Sequence, residues 1–267
     1  MPTSDYITIA LNALKTETDI SIVSATYLQF ETAIWAYAHP SKRDAIRAQV
    51  ADATAAMLAT AAPGSDHQMQ FARAFANNAI TPAHFEKLKA ILNGSENGLV
   101  IDAEIRWYIF ICGVKRGLFG PAEIEAESAK DNTAHGKQYT AYSYAALPTK
   151  ESKTKTFNSI TQDNLSNTIH AYMCRGFNEN IHHELLADFV DQYFDAILKV
   201  WETKGFEIAE TTATLLFPSW VISDETVKKA QHWLDVTGKD ASHALRRSVT
   251  EGRDAMQRAL KARAADK

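Results

Sequence analysis

The sequence predicts an all-α fold, an α-α superhelix of antiparallel helix pairs of the armadillo or HEAT kind. Three observations predict it. Apolar residues recur at helical spacing in stretch after stretch, and no alternating stretch makes a strand. Proline and glycine are sparse, at 7 and 11 of 267 residues, while Ala, Leu, Glu and Lys are common. The stretches are joined by short turns, and no linker rich in Gly, Ser or charge divides the chain, so residues 1–267 read as a single helical-repeat domain. Roughly a dozen similar helices exceed what one compact bundle holds, which favours a stacked solenoid, though no clean sequence repeat is visible.

The helices follow in order. Tyr6 to Leu14 places Ile7, Ala10, Leu11 and Leu14 on one face. Asp19 caps the next, which carries Ile22, Val23, Thr26, Phe30, Ala33, Ile34 and Tyr37 inside until Pro40 ends it. Lys42 to Ala62 is alanine-rich, with Ile46, Val50, Ala53, Met57 and Leu58 facing in. Pro63-Gly64 is a turn, and Ser65 caps a helix with Phe71, Ala72, Phe75 and Ala76. Thr81 caps another, with Pro82 at its first position, running through Leu88 and Ile91 to Gly94.

Ile101–Gly117, IDAEIRWYIFICGVKRG, is the most apolar helix. Asp102 and Glu104 sit at its positive end, Lys115 and Arg116 at its negative end, and Gly117 just beyond. It is apolar nearly all round, so other elements must cover it on several sides. Pro121–Lys130 is short and acidic, and Thr133 to Leu147 is polar with three tyrosines. Lys150–Ile160 starts basic and turns Phe157 and Ile160 inward; Asn164 to Cys174 follows, with Arg175-Gly176-Phe177 as a turn. His183 to Thr203 is long and strongly amphipathic. Phe206 to Phe217, Asp224 to Val236, and Ala241 to about Ala264 complete the chain.

A net charge of −4 and a pI near 6.1 argue against a nucleic-acid partner. The start, MPTSDYITIA, has no basic region ahead of an apolar core, so it is no signal peptide. No apolar run approaches the ~20 residues of a membrane helix. Cys112 and Cys174 lie inside apolar helical patterns and read as small buried hydrophobes. Asn93-Gly94-Ser95 and Asn164-Leu165-Ser166 fit a glycosylation triplet that carries meaning only with secretion. These features imply a cytoplasmic protein without a membrane partner.

One stretch resembles a metal motif. A zincin carries His-Glu-x-x-His, because positions i and i+4 put two imidazoles on one helix face. Here His183-Glu184 is followed by Leu185, Leu186 and then Ala187, where the second ligand must stand. The motif fails at a ligand, which leaves a polar helix start; a metal enzyme using His182, His183 and Glu184 is the weaker reading. His39, His67, His84, His135, His170, His232 and His243 show no ligand spacing and read as surface histidines. No G-x-S-x-G, P-loop or G-x-G-x-x-G is present. The sequence thus offers neither catalytic nor metal-ligating residues. The C-terminal bases Arg246, Arg247, Arg253, Arg258, Lys261, Arg263 and Lys267 are offset by Glu251 and Asp254 and read as the solvated side of a docked helix. Arg73 and Arg106, embedded in apolar helices, either pair with acids or point into a groove.

The runs TETDISIV (Thr16–Val23), PGSDHQMQFARAF (Pro63–Phe75), IDAEIRW (Ile101–Trp107), ETTATLLFPSWVISDETVKKAQHWL (Glu210–Leu234) and ALRRSVTEGRDAMQRALKA (Ala244–Ala262) resemble the C-terminal helical domain of actinobacterial aminopeptidase N. More distantly the chain resembles the corresponding domain of the mammalian endoplasmic-reticulum aminopeptidases. The resemblance implies a helical superhelix that closes over a thermolysin-like catalytic domain of the same polypeptide. The chain would bound an internal chamber and meet the distal part of peptide substrates, with Arg73 and Arg106 as candidate peptide contacts. The zinc, its His-Glu-x-x-His helix and the Gly-x-Met-Glu-Asn loop belong to upstream domains, so no cofactor is expected in this chain and no catalytic residue carries over. The alternative is a stand-alone helical scaffold that binds a protein or peptide partner on its concave side.

Overall fold

The computed structural model describes residues 1–96 and 98–266. Among these the secondary structure is helical throughout, with no strand. Lys267, counted above among the C-terminal bases, lies outside the described residues. Among the described residues no helix is long and apolar enough to cross a membrane. The chain forms two compact units, Met1–Gly113 with Ala262–Lys267, and Val114–Lys261.

The first unit carries α1 (Thr3–Leu14), α2 (Ile20–Thr32), α3 (Arg43–Thr60), α4 (Asp66–Asn78), α5 (Pro82–Leu92) and all but the last residue of α6 (Ala103–Val114). The caps follow the sequence. Asp19 accepts the Ser21 N–H at 2.8 Å, Ser65 accepts that of Gln68 at 3.1 Å, and Thr81 accepts that of His84 at 3.2 Å. Asp102 caps α6 through the Ile105 N–H at 2.9 Å, and Gly117 beyond it takes a φ of 72° that favours glycine. Past α2 the chain widens into a π-helix, Ala33–Tyr37, which buries Ile34 and Trp35, while Ile22 and Tyr37, expected inside, are exposed because the wider turn and the start of α2 leave them off the packed face. α1 packs on α3, α2 on α4, and α3 on α4, around Ile7, Phe30, Val50, Phe75 and Leu88. Packing on the sequence neighbour and on the helix two places along is the connectivity of stacked helix pairs.

The chain's last residues close this unit. Asp266 accepts the Thr3 N–H at 2.6 Å and the His39 N–H at 2.8 Å. Burial alone would raise its carboxyl, but those N–H groups and Lys42 hold it below the ordinary 3.8. Arg263 donates to the Trp35 carbonyl at 2.9 Å and to that of Ala36 at 3.0 Å, covering open carbonyls of the π-helix. Burial lowers the Arg263 guanidinium to about 10, and Arg43 nearby adds to this.

The second unit carries α7 (Pro121–Ser128), α8 (Ala134–Ala145), α9 (Lys150–Gln162), α10 (Asn167–Phe177), α11 (His183–Leu186), α12 (Val190–Thr203), α13 (Phe206–Leu215), α14 (Asp224–Asp235) and all of α15 (His243–Ala265) before its final turn. α8 packs on α10, α10 on α13, and α12 on α13 and α14. Phe157, Phe177 and Phe189 meet with ring centroids 5.2–5.8 Å apart, and Tyr193 and Phe194 both stand edge-on to Phe217.

Two further expectations are corrected here. The long helix expected from His183 to Thr203 is broken: Ala187–Phe189 tightens into a 3₁₀ turn between α11 and α12. The expected turn at Arg175-Gly176-Phe177 is the last turn of α10, which begins after the Ser166 cap. Gly176 is there for closeness rather than for turning, since a Cβ would stand 2.4 Å from the Tyr142 carbonyl oxygen of α8.

Candidate functional site

The two arginines singled out by their apolar surroundings lie in the first unit. Arg73, on α4, pairs with Glu104 on α6 at 2.7 Å, and its guanidinium lies 5.4 Å from the Tyr108 ring centre. Arg106, on α6, donates to the Leu92 carbonyl at 3.0 Å and so satisfies the C-terminus of α5. Both are half-buried and both join helices, which places them at the junctions of α4 and α5 with α6.

The second unit holds a buried charged cluster that the sequence reading does not single out. Lys153, on α9, has no exposed surface. Its Nζ donates to Ala145 O at 2.8 Å, Gly176 O at 3.0 Å and Phe177 O at 2.8 Å. Those carbonyls end α8 and α10, so one ammonium with three N–H groups saturates two helix C-termini at their negative poles. Burial lowers this amine to about 7, with Glu179 acting against the shift. Glu179 is itself buried, 3.2 Å from Lys115 Nζ, and accepts the Tyr142 hydroxyl at 2.5 Å. Burial would raise its carboxyl, but Lys115, Tyr142 and Lys153 together hold it below the usual range. His182 Nε2 donates to the Lys115 carbonyl at 2.7 Å. Burial and Lys153 push this imidazole down to about 3, so it is neutral and its buried Nδ1 has no partner.

A signal for Lys153 was present. Lys153, Thr156, Phe157 and Ile160 stand at i, i+3, i+4 and i+7, so the lysine falls on the buried stripe of α9. A basic run such as KESKTK reads by default as solvated, which hides it.

Beside this cluster opens a cavity of about 280 Å³ lined by Tyr142, Arg175, Asn178, Glu179, Asn180 and Trp220, among others. Arg175 is exposed and lies over the Tyr172 ring at 5.7 Å. The wall offers a guanidinium, amides and an indole next to a carboxylate already engaged by Lys115 and Tyr142, a surface suited to holding polar groups. The triplet His182, His183 and Glu184 does not converge: His182 is buried on Lys115, and Glu184 is exposed. Among the described residues no group of three or more His, Cys, Asp and Glu side chains could hold a metal ion.

Not all the remaining histidines are on the surface, as the spacing suggested. His84 is buried, 2.8 Å from Asp52, and its Nδ1 accepts the N–H groups of Ile80 and Thr81 at the start of α5. His170 is buried beside Thr212 at 3.1 Å and Cys174 at 3.8 Å, and burial lowers its pKa. Cys112 and Cys174 are buried thiols outside any disulfide, and burial raises the Cys174 thiol well above its ordinary range.

Helices packed on their sequence neighbours and on helices further along, with Lys153 spent on two helix ends, define an all-α protein of stacked helices. The chain belongs to the ERAP1-like C-terminal domain family, whose pattern matches residues 1–258. It is 37% identical to Aminopeptidase N of Streptomyces lividans over 269 aligned positions. That alignment takes in 100% of this chain and spans 31% of the relative's length.

Proposed function

We propose that this chain is the non-catalytic helical domain of a zinc-dependent aminopeptidase N, an enzyme that releases N-terminal amino acids from peptides. The observation that carries the reading is the family match over residues 1–258 of a chain built from stacked helix pairs. In this reading the domain walls the chamber around the active site, the catalytic domain of the same polypeptide is its partner, and zinc belongs to that domain. The distal part of a bound peptide runs along the helices, where Arg73 and Arg106 are the candidate contacts for its carboxylates.

The test uses the chain alone and the chain fused behind the preceding part of the Streptomyces relative. Alone, it releases no amino acid from aminoacyl reporter substrates and retains no stoichiometric zinc. Fused, it yields an enzyme that trims peptides. Turnover by the isolated chain that survives repurification and is lost on a single surface substitution overturns the non-catalytic assignment.

A further inference from the structure

An apolar groove of about 750 Å³ opens on the first unit. Its walls include Met1, Tyr6, Leu28, Tyr37, Ala262 and Ala265. Leu28 is 73% exposed and Met1 87% exposed. Among the described residues, five of the eight exposed large hydrophobics (Met1, Ile9, Ile22, Leu28 and Tyr37) fall within α1, α2 and the residues flanking them. That concentration separates these helices from the rest of the molecule.

A helix stack that ends in water needs a terminal pair with a polar outer face. α1 and α2 lack one: Ile9, Ile22 and Leu28 stand where a capping helix would carry charge. We propose that the groove seats an apolar helical segment of the longer aminopeptidase polypeptide, one that precedes the region matched here. This rests on the aminopeptidase reading and names the surface through which the domain joins its partner. The choice of occupant comes from three facts. The relative extends well beyond the 31% that matches. The family is one of C-terminal domains, so that extra length lies ahead of the match. Met1 and Pro2, at the start of the matched region, themselves line the groove.

Thiol labelling tests this. Both native cysteines are buried, so Leu28→Cys introduces a lone accessible thiol, and Lys239→Cys in an exposed turn provides a reference thiol. In the isolated chain a maleimide reagent labels both positions quickly. In the fusion to the preceding part of Streptomyces Aminopeptidase N, labelling at position 28 slows by about tenfold or more relative to position 239. The same part supplied as a separate polypeptide in excess also protects position 28. Leu28→Asp lowers the melting temperature of the fusion and leaves that of the isolated chain unchanged.

Equal labelling of position 28 in fused and isolated forms overturns the proposal. So does protection in the isolated chain that grows with its concentration, which assigns the groove to a second copy. Peptide trimming by the same fusion is scored separately. An active fusion with an unprotected position 28 keeps the aminopeptidase reading and removes the groove. A protected but inactive fusion does the reverse.

Discussion

Lys153 is placed where water cannot reach it, and its three N–H groups find three carbonyls. Lys153→Met keeps the length of the side chain and strands those acceptors at two helix ends. The expected loss is about 3 kcal/mol, read as a fall of roughly 6–12 °C in melting temperature. An unchanged melting temperature would mean the carbonyls find water instead. Asp266 gives a second test at this scale. Its carboxyl is held below 3.8, so the stability it contributes is fully present above that value and is lost as pH falls through the lower folded-state value. Asp266→Asn weakens the bonds from Thr3 and His39 and costs about 1.5–3 kcal/mol at neutral pH. The gap between wild type and variant, measured by urea unfolding, closes as the buffer is taken below 3.8. A gap that persists in acid would assign the effect to shape rather than charge. Single residues of this kind were the least legible part of the sequence. Lysine within a basic run gives no sign of burial except its register with Phe157 and Ile160.

Elements were read more fully, because their ends carry chemistry of their own. Asp19, Ser65, Thr81 and Gly117 announced helix boundaries that the hydrogen bonds and backbone angles bear out. The misreadings have a common physical source. Leu186, Phe189, Val190 and Tyr193 keep helical spacing straight through the 3₁₀ turn at Ala187–Phe189, so the apolar pattern cannot register the break. Gly176 looks like punctuation but serves the contact of α10 with α8. That contact is testable. Gly176→Ala puts a methyl 2.4 Å from the Tyr142 carbonyl oxygen and 3.0 Å from the Ala145 Cβ, so the two helices must part. The expected loss is about 1–3 kcal/mol, despite the better helix propensity of alanine. Amide hydrogen exchange locates it, with faster exchange in α8 and α10 and little change in α3 and α4. A stabilised variant would show that propensity outweighs the clash.

For the chain as a whole, sequence and structure agree on an all-α fold, and under the proposed aminopeptidase reading the arginines decide whether the chain also touches substrate. Arg73 has two roles available. The Glu104 pair is exposed on the acidic side and is worth no more than about 1 kcal/mol, so holding α4 to α6 does not by itself account for a half-buried guanidinium. In the fusion enzyme, Arg73→Gln removes the positive charge, while Glu104→Gln keeps it and releases it from its partner. If Arg73 meets peptide carboxylates, Arg73→Gln raises KM for long peptides by about 3–10-fold and leaves kcat on a short aminoacyl reporter unchanged. Glu104→Gln then lowers KM for the same peptides or leaves it unaltered. A structural role predicts otherwise: both substitutions break the Glu104 pair, Arg73→Gln loses the Tyr108 contact as well and so costs more melting temperature, and neither separates long peptides from short reporters. Parallel effects of the two variants on KM would confine Arg73 to joining helices, and peptide contact would pass to other residues of the wall.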